Sequence, residues 1–466
     1  MNSVIQFGHE DQHKFTQYYL YCLFIFVIGR SINVYSLIPS VIDSAVFSIL
    51  AVIGGVLILQ NVIMFLRKRD HLEYSLLLMI FVIIMGIASL LNMRYGIFGN
   101  LKAIVWSAIY FFVIYGFAVN SSLPKKFYDR LIQIFMWIYF VVTVGSLGMY
   151  LLQYSYFKPG NLETRTRIGF LESRLFGLYG DPNFAGMFCV IAIIIGVYLL
   201  VTHINLFPRW FLYVNTVLQF FMLILTGSRS AMLLGEGLLA LVVGVMVYYL
   251  RSLDRLTALL RILFGVVAAI VTFIVAYLAV DAIKLALQQL PPLFQAFQHR
   301  PAGDKVKEVV SLKRADVADN SDISNMRFSI WGSAFDVFKQ NWLFGVSPRN
   351  MVAFAKDRLP HSLIAMQGFK THNAFIDVLA STGITGLITV LIFTFKKGVE
   401  VFQSIKLDRN FLKHQTTAEF LILIGLVGFM FFVNIVFFTN DVCTFIFWIL
   451  LGKMTAEFTK QNQINL

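Results

Sequence analysis

The chain has 466 residues, 58% of them hydrophobic and only 14% charged, with a mean hydropathy of +0.75. A soluble domain carries roughly 25% charged residues, so the composition excludes a soluble globular protein and indicates an integral membrane protein. The net charge of +13 belongs in part to the Lys/Arg excess of cytoplasmic membrane loops; nucleic acid as a partner is excluded, because there is no long basic run and no zinc-finger spacing.

Along the chain, the N-terminal head is charged and contains histidine. Gly29-Arg30-Ser31 reads as an interruption of the first apolar run, so no cleaved leader is expected. About twelve stretches are long and apolar enough to cross a core of roughly 30 Å. They are 16–37, 43–65, 72–91, 99–119, 131–153, 181–202, 210–227, 230–250, 259–283, 373–395, 416–438 and 440–453. Cys22, Cys189 and Cys443 all lie in apolar segments, which gives no disulfide framework and no thiolate metal site. Arg67-Lys68-Arg69, Lys125-Lys126 with Arg130, Arg251 with Arg255, and Lys396-Lys397 through Lys413 fall in alternate loops. Placing those loops in the cytoplasm satisfies the positive-inside bias and puts both termini there. The expected organisation is nine spans with short loops over 1–283, an extracytoplasmic loop over 284–371, and three spans with a cytoplasmic tail over 372–466.

Short outer loops should be poor in Arg and Lys. Loop 154–180 nevertheless carries Lys158, Arg165, Arg167 and Arg174 against Glu163 and Glu172, and TGSRS at 226–230 sets Arg229 between two spans. GLYGDPNFAGMF at 177–188 opens the sixth span, with Asp181 suited to cap it and Pro182 to its first turn. The segment before the tenth span is too long for a plain loop, and Pro291-Pro292 and Pro301 break its start. Ile323, Met326, Ile330, Trp331, Ala334, Val337 and Phe338 then recur at three-four spacing. That pattern predicts an amphipathic helix near 324–341, capped by Ser324 or Asn325 and lying near the interface. Arg327 falls one turn before Trp331. Two readings of these arginines stay open: headgroup contact by snorkelling, and a site for an anion whose oxygens suit the guanidinium fork.

FKTHNAFIDVLASTGITGLI at 369–388 opens the tenth span with a polar triplet. A helix start favours anions and neutral imidazole, which is the state a general base requires, and this singles out His372. Asn373 stays open between cap, orienter and bystander, while Gly383 and Gly386 read as close helix packing. Glu236 is the main intramembrane acid, with an arginine partner or a polar crevice as its two readings. There is no P-loop, dinucleotide fingerprint, HExxH or EF-hand loop. Together the mouths outline a cationic crevice suited to a diphosphate-linked substrate.

GLYGDPNFAGMF (177–188), ILTGSRSAML (224–233), NMRFSIWGSAFDVFKQNWLFGVSP (325–348) and THNAFIDVLASTGITGLI (371–388) resemble the O-antigen ligase and polymerase family, over about 170–395. The resemblance implies an all-α polytopic membrane glycosyltransferase of the GT-C type, working without metal or other cofactor. Its crevice would face the extracytoplasmic side of the bacterial cytoplasmic membrane. It implies that Arg229 and Arg327 contact the diphosphate and that His372 serves the attacking hydroxyl as base or orienter. Asp181 and Asn183 would shape the mouth, with Arg165, Arg167, Arg174 and Asn373 as further substrate contacts. The implied partners are a polyprenyl-diphosphate-linked glycan donor and acceptor, the lipid bilayer, and a chain-length regulator or flippase of the same pathway. A polymerase of capsule, exopolysaccharide or O-antigen repeat units is the leading expectation. A ligase to a lipid or other acceptor is the neighbouring one, and a precursor flippase is the alternative of another class, for which no half-to-half symmetry is found.

Overall fold

The computed structural model describes residues 2–66, 74–120, 123–160, 165–297, 310–313 and 326–464. Each expected apolar stretch forms a helix: α1 Asn2–Arg30, α2 Ser40–Leu66, α3 Leu76–Leu91, α4 Phe98–Asn120, α5 Lys125–Leu151, α6 Pro182–Thr202, α7 Arg209–Leu225, α8 Arg229–Tyr248 and α9 Ala258–Phe297. After the long segment come α10 Arg327–Gln340, α11 Met351–Arg358, α12 Leu363–Gln367, α13 Ala374–Ser404, α14 Gln415–Met430 and α15 Val442–Ile464. Among the described residues, α2, α4, α5, α6, α8, α9, α13 and α15 are long and apolar enough to cross a membrane, and α3, α7 and α14 are shorter apolar helices. The chain is an all-α polytopic membrane protein. Helix α6 is apolar on every side and is packed by α7, α8 and α14.

Four segments depart from expectation, each for a physical reason. Loop 154–180 contains an antiparallel sheet in the order β1 (Ser155–Lys158), β2 (Thr166–Leu171), β3 (Arg174–Gly177). Helix α9, expected to stop near 283, runs through Pro291-Pro292 to Phe297. Pro291 cannot supply the N–H that the Leu287 carbonyl would accept within the helix. Tyr150 of α5 donates its hydroxyl to that carbonyl instead, at 2.9 Å. The expected span 416–438 ends at Met430, and residues 431–441 are irregular. Their backbone is satisfied by side chains: Trp448 donates to the Val436 carbonyl at 3.0 Å, and Thr444 Oγ1 accepts from the Val436 N–H at 2.9 Å. Irregular backbone inside a membrane bundle requires this kind of partner.

The fourth departure is in α13. Gly383 has φ 67° and ψ −167°, which breaks the helix rather than packing it. Segment 342–347 fills the gap. The Ala380 and Ser381 carbonyls accept from the Val346 and Ser347 amides at 3.0 and 2.8 Å, and the Ile384 amide donates to the Trp342 carbonyl at 2.8 Å. Gly386 does face a neighbouring helix, with Phe81 of α3 at 3.4 Å from where a Cβ would stand. Helix α10 covers the predicted amphipathic stretch and buries Ile330, Ala334 and Val337 against α11, α12 and α13. The expected caps Ser324 and Asn325, with Ile323 and Pro301, lie outside the described residues.

Candidate active site

At the start of α6, Asp181 caps the helix by accepting from the Asn183 and Phe184 amides at 2.6 and 3.3 Å. Arg174, from β3, donates through Nε to the Thr226 carbonyl at 2.8 Å and through Nη2 to Asn183 Oδ1 at 3.0 Å. One guanidinium therefore ties the sheet to α6 and to the turn between α7 and α8. In that turn Ser228 caps α8 by accepting from the Ala231 amide at 3.4 Å, and half-buried Arg229 is the first residue of the helix. Gly186 of α6 lets this turn approach: a Cβ there would lie 3.2 Å from that of Ser228.

Across from it, the Thr371-His372-Asn373 triplet is held on both sides of the histidine. Asn373 caps α13 by accepting from the Phe375 and Ile376 amides at 3.0 and 3.1 Å, and donates through Nδ2 to the Phe431 carbonyl at 3.3 Å. Trp331 of α10 donates to the Thr371 carbonyl at 3.0 Å, and Thr371 shares a hydrogen bond with Asn434. Between these fixed points His372 has φ 50°, a left-handed conformation that few residues other than glycine adopt. Its flanks are buried while His372 itself is exposed. Such strain persists where the surroundings over-determine it, a condition concentrated at functional sites.

Electrostatics join the two sides. The charges of Arg327, Asp181 and Lys370 all act on His372, and the Arg327 guanidinium lies over the Phe432 ring at 5.2 Å. Although one side of His372 faces solvent, desolvation by its neighbours is the first cause that draws its imidazole below the ordinary value; Arg327 is the second, with Asp181 opposing. A lowered pKa leaves the ring neutral at neutral pH and able to take a proton. The acid limb of the pH–rate profile is therefore expected below the ordinary histidine value of about 6.5. Arg327→Met, followed through its residual activity, should move that limb upward. A limb at or above the ordinary value in the unmodified chain would contradict the assignment of the base.

The remaining sequence candidates divide. Arg167 is turned into the sheet, pairing with Glu172 at 2.9 Å and lying over Phe176 at 5.1 Å. Arg165 is largely exposed; partial desolvation and then the Arg167 charge lower its pKa, against Glu172 and Asp181. Asn373 spends its side chain on the cap and on the Phe431 carbonyl. Sequence reasoning missed Asn434, whose only signal was a lone amide in the apolar run FFVNIVFF. It hydrogen-bonds Thr371, donating through Nδ2 at 3.0 Å. Arg349, which the sequence offers only as one cation of the long outer segment, donates to the Phe438 carbonyl at 2.9 Å while its amide donates to Asn100 of α4 at 2.8 Å. Residues 214–391 match the family model described as O-Antigen ligase. The matched stretch carries Arg229, Arg327 and His372, and Arg174, Asp181 and Asn183 precede it. No curated protein matches the chain.

Proposed function

We propose, for a chain whose residues 214–391 match the O-antigen ligase family model, that it joins polyprenyl-diphosphate-linked oligosaccharide repeat units at the extracytoplasmic face of the cytoplasmic membrane. The observation that supports this best is an exposed His372 in a left-handed backbone conformation, fixed on either side by the hydrogen bonds of Thr371 and Asn373. In the proposed reaction the acceptor hydroxyl attacks the anomeric carbon from the side opposite the diphosphate. The bond from that carbon to the phosphate oxygen breaks, and the polyprenyl diphosphate leaves with inversion. Arg327 and Arg229 neutralise the charge that develops on the leaving oxygens. His372 takes the hydroxyl proton, while the helix starts of α8 and α13 add their partial positive charge.

The description of the matched family favours a second reading, a ligase that passes the glycan to a lipid acceptor. Reconstitution with a purified polyprenyl-diphosphate-linked repeat unit separates the two. A polymerase is expected to give a ladder of lengthening glycans on the carrier. Transfer only to an added lipid acceptor, without a ladder, favours the ligase; movement of carrier across the bilayer with no new glycosidic bond overturns both.

A further inference from the structure

The turn Met93–Tyr95, between α3 and α4, meets the last turn of α11 in a group of charges that the proposed reaction does not use. Arg94 Nη2 donates to Asp357 Oδ2 at 3.2 Å, Arg358 Nε lies 3.4 Å from the same oxygen, and the Tyr95 hydroxyl donates to it at 2.6 Å. Arg94 also lies over the Tyr95 ring at 4.5 Å, and that ring meets Phe354 of α11 edge-on at 5.3 Å. Two guanidiniums from separate elements are thus gathered on one carboxylate oxygen, and the group keeps an excess positive charge. Lys356, exposed on the same turn of α11, adds to it. Arg94 and Arg358 are 57% and 55% exposed. Ion pairs this open add little stability, so holding the fold together is a weak reason for bringing two like charges side by side.

The surroundings select the anion. Leu90, Leu91 and Met93, which lead into Arg94, are exposed, as is Phe98 at the start of α4. Exposed apolar side chains at the end of a membrane helix face hydrocarbon, so an anion held here has room for an apolar tail beside it. The guanidinium fork suits phosphate oxygens, and two forks side by side suit two linked phosphates. Tyr95 and Phe354 pack into the small hydrophobic cluster that also takes Ile376 and Ala380 of α13, and Ile376 is one turn below His372. One packing layer, about 8–10 Å, therefore stands between the arginine pair and the helix that carries the imidazole.

We infer that Arg94 and Arg358 form a second diphosphate site, which holds the lipid carrier of the acceptor while Arg229 and Arg327 hold that of the donor. The inference rests on the functional reading above, in which two carrier-linked glycans are bound at once. An acceptor anchored by its diphosphate at this pair extends its oligosaccharide across one packing layer and presents its far hydroxyl to His372.

The test uses the full chain in phosphatidylglycerol nanodiscs, with a donor whose own acceptor hydroxyl is blocked. Two acceptors are compared: the repeat unit on polyprenyl diphosphate, joined through carbon so that it cannot donate, and the same repeat unit as a free oligosaccharide without phosphate. Arg94→Gln combined with Arg358→Gln should raise KM for the lipid-linked acceptor by at least about tenfold, the worth of one charge-assisted hydrogen bond. Its kcat, and both constants for the free oligosaccharide, should stay as they are. An equal rise in KM for the two acceptors, or none for either, would overturn the second site. Binding of radiolabelled polyprenyl diphosphate to the unmodified chain decides the matter independently of how the variant folds. Two molecules per chain are expected. Saturation at one, or loss of the second to added phosphatidylglycerol, would make the arginine pair a contact for bulk lipid headgroups. Active transfer with a single bound carrier overturns this inference alone, whereas no transfer and no bound polyprenyl diphosphate overturn the functional reading with it.

Discussion

Arg327→Ala is expected to lower glycan transfer by about 10²–10³-fold, the usual cost of removing one preorganised charge from a transition state. The loss should fall mainly on kcat, because charge on the leaving oxygens grows as the glycosidic bond breaks. Stability should change little. Arg327 opens α10 half-buried, and its contact with Phe432 is of a kind worth about 0.5–1 kcal/mol. The helix is held instead by Ile330, Ala334, Val337 and the Trp331 bond to Thr371. Arg327→Lys keeps the charge but loses the planar fork, so it should recover part of the rate. Steady-state kinetics beside a thermal melt provide the check; a variant that melts normally and transfers at the original rate removes Arg327 from the mechanism.

Gly383→Ala should produce a large loss of stability for a single added methyl group. The φ and ψ at Gly383 lie in a region open essentially to glycine alone, at a cost to other residues of about 1–3 kcal/mol. The added Cβ would also stand 2.3 Å from the Leu343 carbonyl oxygen, which has no room to retreat because its segment is bonded into the break. Gly345→Ala should behave alike, since φ there is 69° and the Cβ would lie 2.4 Å from the Ser381 carbonyl carbon. Gly332→Ala provides the contrast. It sits inside α10 with open space around it, so alanine should stabilise by about 0.5–1 kcal/mol. Thermal inactivation half-lives in nanodiscs rank the three; a Gly383→Ala chain as durable as the parent would mean that the seam does not hold α13.

The spans were legible because hydropathy over about 20 residues is a local property, and every apolar stretch became a helix. What escaped was set by distant partners. Nothing near Pro291 announces that Tyr150 will supply the missing donor, and nothing in FFVNIVFF separates a span from an irregular segment tied down by Thr444 and Trp448. Gly383 was noticed as a glycine, but its conformation depends on segment 342–347, some forty residues upstream in the chain. For the candidate site, arginines stood out because outer loops were expected to lack them. Asn434 did not, since its importance lies in what it holds. Arg167 looked like its neighbours and turned out to face Glu172.

Residues 431–441 have a consequence for what counts as a module here. The family match ends at residue 391, yet Thr371 and Asn373 are braced by Asn434 and residue 431, and Arg349 reaches the carbonyl of Phe438. On the other side, Arg174 reaches Thr226 from a sheet that lies before the match. A transplant of 214–391 into another scaffold would carry the guanidiniums and the imidazole and leave their braces behind. The matched block and the mechanical unit have different borders, and grafting experiments should follow the second.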